Sequence, residues 1–277
     1  MALSPLLRLT RPANALIGFA SVCVAAYVAG SIQPLWKVGW GAASAMWILA
    51  GGNVVNDLYD VETDRINQPT RPLVTGSVSS RTAWATAVLL FGIGIASACR
   101  LGPAMFAVAS LAAGLLVLYS AKLKRTLLWG NLTVSFLGGL AFLYGGMAVG
   151  KMRGAAIPAI LAFLFHLGRE ILKDAQDRIG DGATRANTLA VRFGTRRALG
   201  LTTAVFGILI LFTPLPFLFN LYSSSYLWTV LIGVDTVLAY VVWSMWRDGS
   251  PRNLARLSRI LKADMLVGLL AIVLGRG

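Results

Sequence analysis

Asp57, Asp60 and Asp64 are repeated in type and spacing by Asp174, Asp177 and Asp181, each residue of the second set standing 117 positions after its counterpart. Six of the nine aspartates lie in these sets. With Glu62 and Glu170, the two stretches hold eight of the 11 acidic residues in a chain of formal net charge +14. Oxygen donors without His or Cys partners select hard cations, and Mg2+ in particular is held by one or two carboxylates plus substrate phosphates. The two sets are therefore read as a site for Mg2+ ions around a diphosphate. Neither set follows the EF-hand spacing, and Gly182 after Asp181 does not change that, so Ca2+ fits less well. Solvated loop carboxylates are the plain alternative, against which the repetition in an acid-poor chain argues.

Asn56, Asp60 and Asp64 are spaced i, i+4, i+8, and Asp174, Asp177 and Asp181 i, i+3, i+7, so a helix through either set lines its oxygens along one face. Carboxylates stacked near a helix C-terminus repel one another and meet the negative end of the dipole, which calls for cations nearby. Arg65 and Arg71 follow the first set. Arg169 and Lys173 precede the second, and Arg178 lies within it. A third basic cluster, Lys122, Lys124 and Arg125, closely follows Tyr119. Guanidinium groups fork onto phosphate oxygens, which makes these residues candidate clamps for a diphosphate or a phosphorylated acceptor.

The elements that must carry these residues are membrane helices. The chain is 57% hydrophobic and 13% charged, with a mean hydropathy of +0.71, the profile of a polytopic membrane protein. Nine stretches are expected to span a bilayer: Ala15 to Ser31, Val38 to Val55, Thr82 to Cys99, Pro103 to Tyr119, Asn131 to Gly150, Ala155 to Ile171, Leu199 to Phe219, Leu227 to Trp246 and Ala263 to Leu274. All should be helical, because lipid offers the backbone no hydrogen-bond partner and the runs are too long for barrel strands. Of the 25 Lys and Arg residues, Lys37, Arg100, Lys151, Arg153 and Arg276 fall on one side and the other 20 on the opposite side. The positive-inside rule places the N-terminus and both aspartate sets in the cytoplasm, with the plasma membrane as the expected location. The sets follow spans two and six, so the single domain, residues 1–277, reads as two parallel pseudo-repeats with acidic motifs at 53–64 and 170–181.

The first thirty residues imitate a secretory signal, but eight further spans make an uncleaved helix the simpler account. Cys23 and Cys99 both lie inside spans and propose neither a disulfide nor a zinc site. The basic residues are spread over short connections without a nucleic-acid-binding motif, so topology and membrane lipids, not nucleic acid, account for the charge.

GGNVVNDLYDVETDRINQPTRPLVTG (Gly51 to Gly76) closely resembles the first signature of the UbiA superfamily of intramembrane prenyltransferases, and REILKDAQDRIGDGATRANTLAVRFG (Arg169 to Gly194) resembles the second. YSAKLKRTLLWGN (Tyr119 to Asn131) is similar to the family's middle segment. The resemblance implies an all-α bundle of nine transmembrane helices around an apolar cavity, with Mg2+-dependent transfer of a prenyl group from its allylic diphosphate. It implies that Asn56, Asp60, Asp64, Asp177 and Asp181 hold Mg2+ and the diphosphate, with Asp57 and Asp174 as flanking acids. Tyr119 and Lys124 match the family's Tyr and Lys; they are five apart here and four apart in several relatives, which leaves Lys122 and Arg125 as possible substitutes.

Within the family, the REILKD run and the KLKRT segment look most like the branch that moves a geranylgeranyl group from its diphosphate onto geranylgeranylglyceryl phosphate, a lipid-like acceptor. Ala190 departs from that branch, where Pro is expected. An aromatic quinone precursor or chlorophyll-type acceptor with another polyprenyl diphosphate is the alternative. A transporter is the rival of a different class, disfavoured because transporter repeats are commonly inverted and meet at the midplane. Phe136, Phe142, Tyr144, Phe163 and Phe165 are either cavity lining or ordinary packing, and His166 is either a base for the acceptor or a packed helix residue. Asp235 and Asp264 have no role in this reading.

Overall fold

The computed structural model describes residues 4–276, and among them there are helices but no strand. In chain order these are α1 (Pro5–Thr10), α2 (Pro12–Val28), α3 (Leu35–Tyr59), α4 (Val61–Asn67), α5 (Ser80–Cys99), α6 (Pro103–Ala121), α7 (Trp129–Ala148), α8 (Ala156–Ala183), α9 (Leu189–Phe193), α10 (Thr195–Phe212), α11 (Leu215–Leu218), α12 (Ser224–Thr229), α13 (Thr236–Arg247) and α14 (Pro251–Gly275). A π-helical segment, Val230–Asp235, joins α12 to α13, and short 3-10 turns occupy Leu123–Arg125 and Met152–Ala155. Helix starts follow the local chemistry. Pro5, Pro12, Pro103 and Pro251 stand in first turns, where the missing N–H costs nothing, and Ser4, Ser79 and Ser250 accept a backbone N–H as N-caps.

Among the described residues, seven helices are long and apolar enough to cross a membrane: Leu35–Tyr59, Ser80–Cys99, Pro103–Ala121, Trp129–Ala148, Met152–Ala183, Thr195–Leu218 and Ser224–Arg247. The nine expected spans are therefore not all recovered by length and composition. α2 is apolar but has only 17 residues. The ninth expected stretch is the apolar half of α14, whose first half carries Arg252, Arg256, Arg259 and Lys262. Large side chains such as Val88, Leu89, Leu111, Leu211 and Ile232 point out of the protein, a surface suited to lipid and not to water.

The chain divides into two compact units: one is the chain to Lys124 with Ala141–Ala155, the other Arg125–Leu140 with the chain from Ala156. In the first, α3 packs against α2, α5 and α6. Small residues set the spacing: a Cβ on Gly94 of α5 would lie 3.1 Å from the Ser44 carbonyl oxygen of α3 and 2.7 Å from Ile48 Cγ1, a close approach typical of membrane helices. Tyr144 donates to Ser44 Oγ at 3.3 Å in this core. In the second unit α8 packs against α9, α10 and α14, and Phe165 of α8 meets Phe206 of α10 with ring centroids 6.4 Å apart. Phe142, Tyr144 and Phe165 are thus buried packing residues, whereas Phe136 is exposed.

Gly94→Leu should overpack the α3–α5 contact and lower stability by about 1–3 kcal/mol. Gly92→Leu, on the same helix with nothing within 4 Å of its Cβ position, should leave the thermal midpoint in detergent unchanged.

Candidate functional site

The first acidic set is built where α3 ends. α3 stops at Tyr59, and Asp60, with φ −97° and ψ 0°, is both its C-cap and the N-cap of α4. The helix expected to run unbroken through Asn56, Asp60 and Asp64 is interrupted at Asp60, although the bonds from Asp60 N to the Asn56 carbonyl at 3.1 Å and from Asp64 N to the Asp60 carbonyl at 2.7 Å remain. The break has an electrostatic reason: a continuous helix would extend the row of carboxylates past a helix C-terminus, whereas the new start puts Glu62 and Asp64 in the first turn of α4, at the favourable end of its dipole.

Asp57, Asp60 and Asp64 are nearly sealed, at 3%, 6% and 5% exposure, and three cations meet them. Arg71, from the loop after α4, donates to Asp57 at 3.0 Å and also to Asp64. Lys124, from the turn after α6, donates to Asp60, which accepts a second bond from Asn56 Nδ2 at 2.8 Å. Arg11, at the α1–α2 junction in the left-handed region with φ 48°, donates to Asp57. Asn53 Nδ2 bonds to the Thr10 carbonyl at 3.1 Å, and Arg8 reaches the Thr70 carbonyl at 3.2 Å, so α1 is tied to the same loop that carries Arg71. Burial pushes the Asp64 carboxyl up to about 6. Arg71 opposes this, Asp60 and Asp57 add to it, and Lys124 again opposes.

The remaining candidates of this unit lie differently. Arg65 turns to the exposed Glu62 at 3.2 Å. Tyr119 is half-buried on the last turn of α6, and Lys122 is exposed. The five-residue spacing from Tyr119 to Lys124 therefore still delivers the Lys ammonium to Asp60.

The second set does lie on one continuous helix, α8, as its spacing predicts. Asp181 is buried, Asp177 accepts from Gln176 Nε2 at 3.1 Å, and Asp174 accepts from Asn131 Nδ2 of α7 at 3.0 Å. Arg169 and Lys173 converge on Glu170, with contacts of 3.0 and 2.9 Å. Arg178 donates to Thr195 Oγ1 at 3.3 Å. Arg125, in this unit, is exposed, and its carbonyl accepts from the Asn187 N–H at 2.8 Å. His166 is packed against Gly138 of α7, the packed-residue alternative for this histidine. Outside both sets, Asp235 accepts from Thr213 Oγ1 at 2.9 Å.

Three contributors went unrecognised as partners in the sequence. Arg11 reads as a topological charge, and only its place beside Pro12 on the side of the acids pointed to it. Asn131 closes the segment that begins at Tyr119, and Glu170 reads in the sequence as one more acid, whereas the structure makes it the anchor of its basic neighbours.

Among the described residues no three His, Cys, Asp or Glu side chains form a ready metal cage. The donors are nevertheless all hard oxygens, and Mg2+ is characteristically bound by few carboxylates, with substrate phosphates supplying the rest. The first set, two turns of oxygen donors interleaved with cations, fits that mode of binding.

The model of the UbiA prenyltransferase family matches residues 16–263. The chain belongs to the UbiA prenyltransferase family. It is a multi-pass membrane protein of that family. A digeranylgeranylglyceryl phosphate synthase of Methanopyrus kandleri is 37% identical, the match covering 96% of this chain and 97% of the relative. A solved structure of digeranylgeranylglyceryl phosphate synthase is 26% identical and superposes with a TM-score of 0.76, over 98% of this chain and 97% of the other. A UbiA homologue from Archaeoglobus fulgidus, solved with DMAPP and Mg2+, shares the fold at a TM-score of 0.69 and 21% identity, over 97% and 99% of the two chains.

Arg71→Gln should cost about 3–5 kcal/mol at neutral pH, because it strands the buried Asp64 and leaves Asp57 to Arg11 alone. Arg65→Gln, at an exposed pair, should cost under about 1 kcal/mol. Burial raises the Asp64 carboxyl and Arg71 holds it down at about 6, so loss of Arg71 raises that value further, and the Arg71→Gln deficit, full above the variant's raised value, should shrink as pH falls towards 6 and be lost below it. Thermal melts at pH 7.5 and 5 check both points.

Proposed function

We propose that this chain transfers the geranylgeranyl group of geranylgeranyl diphosphate to the free glycerol hydroxyl of geranylgeranylglyceryl phosphate, with Mg2+ as cofactor. The observation that carries the reading is the end-to-end similarity to digeranylgeranylglyceryl phosphate synthases, joined to an oxygen-only acidic site interleaved with cations.

Asn56, Asp60 and Asp64 of the first motif and Asp177 and Asp181 of the second would hold Mg2+. When bound, the metal neutralises charge on the diphosphate. The chain's own cations have the complementary task. Lys124 and Arg71 are positioned by Asp60 and by Asp57 and Asp64, respectively, and these fixed donors stabilise the charge that develops on the departing diphosphate oxygen. Tyr119 stands one turn before Lys124 and adds a hydroxyl on the same segment. Lys122, Arg125, Arg65 and Asp174 are assigned to the periphery of substrate binding. As the carbon–oxygen bond to diphosphate breaks, the acceptor oxygen bonds to the same carbon, diphosphate leaves with the electron pair, and the hydroxyl proton is released. An apolar, lipid-embedded setting keeps water from the allylic cation.

The distribution of Lys and Arg supports a cytoplasmic N-terminus and active site, and the plasma membrane is the location we assign to the protein. The exact displacement of the two motifs supports an internal duplication within one domain.

The test is the purified protein in liposomes with labelled geranylgeranyl diphosphate, geranylgeranylglyceryl phosphate and Mg2+. Doubly prenylated lipid should form and should vanish with a chelator. Product from an aromatic quinone precursor, and none from the glycerol lipid, would replace the acceptor. Asp60→Ala and Asp181→Ala should each lower turnover by at least about 100-fold, the scale of losing one preorganised charge-stabilising group, with the folded yield unchanged.

A further inference from the structure

Arg169, Glu170 and Lys173 form a charged knot on the membrane-spanning helix α8, just before the three aspartates of the second motif. Glu170 is buried at 6% exposure. It accepts from Arg169 Nη1 at 3.0 Å and from Lys173 Nζ at 3.1 and 2.9 Å. One carboxylate thus serves two cations, which leaves the Arg169–Glu170–Lys173 cluster with one more positive than negative charge. The Arg169 side chain is 17% exposed, and its Nε is buried without a hydrogen-bond partner. A half-buried guanidinium that gives Nη1 to Glu170 but leaves a buried Nε unbonded has room for one more acceptor, and such an orphaned donor is costly until one arrives; intramembrane ionisable residues are functional-site candidates.

We propose that the Arg169–Lys173 pair, held by Glu170, binds the phosphate monoester of the acceptor. This rests on the reaction proposed above and names the subsite within it. The chemistry suits the ligand: a phosphate monoester offers several acceptor oxygens to the fork of an Arg and the point charge of a Lys. Position separates this subsite from the donor's diphosphate. At 1.5 Å rise per residue, Lys173 lies roughly 6 Å and Arg169 roughly 12 Å along α8 from Asp177. That offset suits a phosphate on the same glycerol as the reacting hydroxyl. Glu170 is a positioning residue, since it fixes the two cations and repels the ligand itself.

The experiment is steady-state kinetics on the full-length protein in liposomes, with geranylgeranylglyceryl phosphate and with its dephosphorylated counterpart, geranylgeranylglycerol. Arg169→Gln and Lys173→Gln should each raise the KM for the phosphorylated acceptor by about 10- to 100-fold, the scale of a lost charge-assisted hydrogen bond. The KM for geranylgeranyl diphosphate should stay within about twofold of wild type, and the preference for the phosphorylated acceptor should collapse by the same 10- to 100-fold factor. Arg169→Lys should recover part of the loss. If Arg169→Gln does not fold, Lys173→Gln, with the more exposed side chain, carries the test. Variants that keep the wild-type acceptor KM, or that shift the donor KM instead, overturn the inference and leave the proposed reaction standing. Wild-type protein that prenylates neither glycerol lipid defeats that reaction, and the subsite with it.

Discussion

Three carboxylates buried beside the end of a membrane helix must be neutralised by something that does not leave, and here Arg71, Lys124 and Arg11 do it. Much of the first unit is arranged around that need. The loop after α4 returns to bring Arg71 between Asp57 and Asp64. The turn after α6 brings Lys124 to Asp60, and α1 is tied down through Thr10 and Arg8 so that Arg11 reaches Asp57. The same constraint explains why α3 breaks at Asp60. The arrangement also prepares the site for a diphosphate, because cations placed by buried acids cost no further ordering when a charged ligand arrives.

The helices that hold this arrangement are brought together by close packing of small residues, with single polar links such as Tyr144–Ser44 and Asn131–Asp174 between them. Gly94 lies against α3, and Gly139 of α7 would place a Cβ 2.7 Å from the Ala159 carbonyl oxygen in the second unit. Without water to drive apolar surfaces together, van der Waals contact at such points does much of the work of association. It leaves the bulky aliphatic side chains for lipid. Rigid helix spacing in turn holds the ends of α3 and α6 at which the charged residues of the first unit sit.

Helical class and both acidic sets were legible from the chain, because acid is rare in it and the repeat is exact. Arg71 and Lys124 were legible as cations in the right place. The break at Asp60 was not, since an i, i+4, i+8 spacing is the same whether or not a helix continues, and only charge and dipole decide. Arg11 and Asn131 were hidden for another reason: their partners lie more than 40 residues away, and contacts of that range leave no local pattern. Length and composition alone recover seven of the nine expected spans, because the other two belong to a short helix, α2, and to one with a charged first half, α14.

The central claim is that the acids of the first motif are compensated by the chain's own cations and accept Mg2+ together with phosphate oxygens. Calorimetric titration of the purified protein tests it directly, with Mg2+ alone and then with Mg2+ in the presence of inorganic diphosphate. Saturable Mg2+ binding that appears only with diphosphate is the predicted result. Equally tight binding of Mg2+ in its absence would contradict the account.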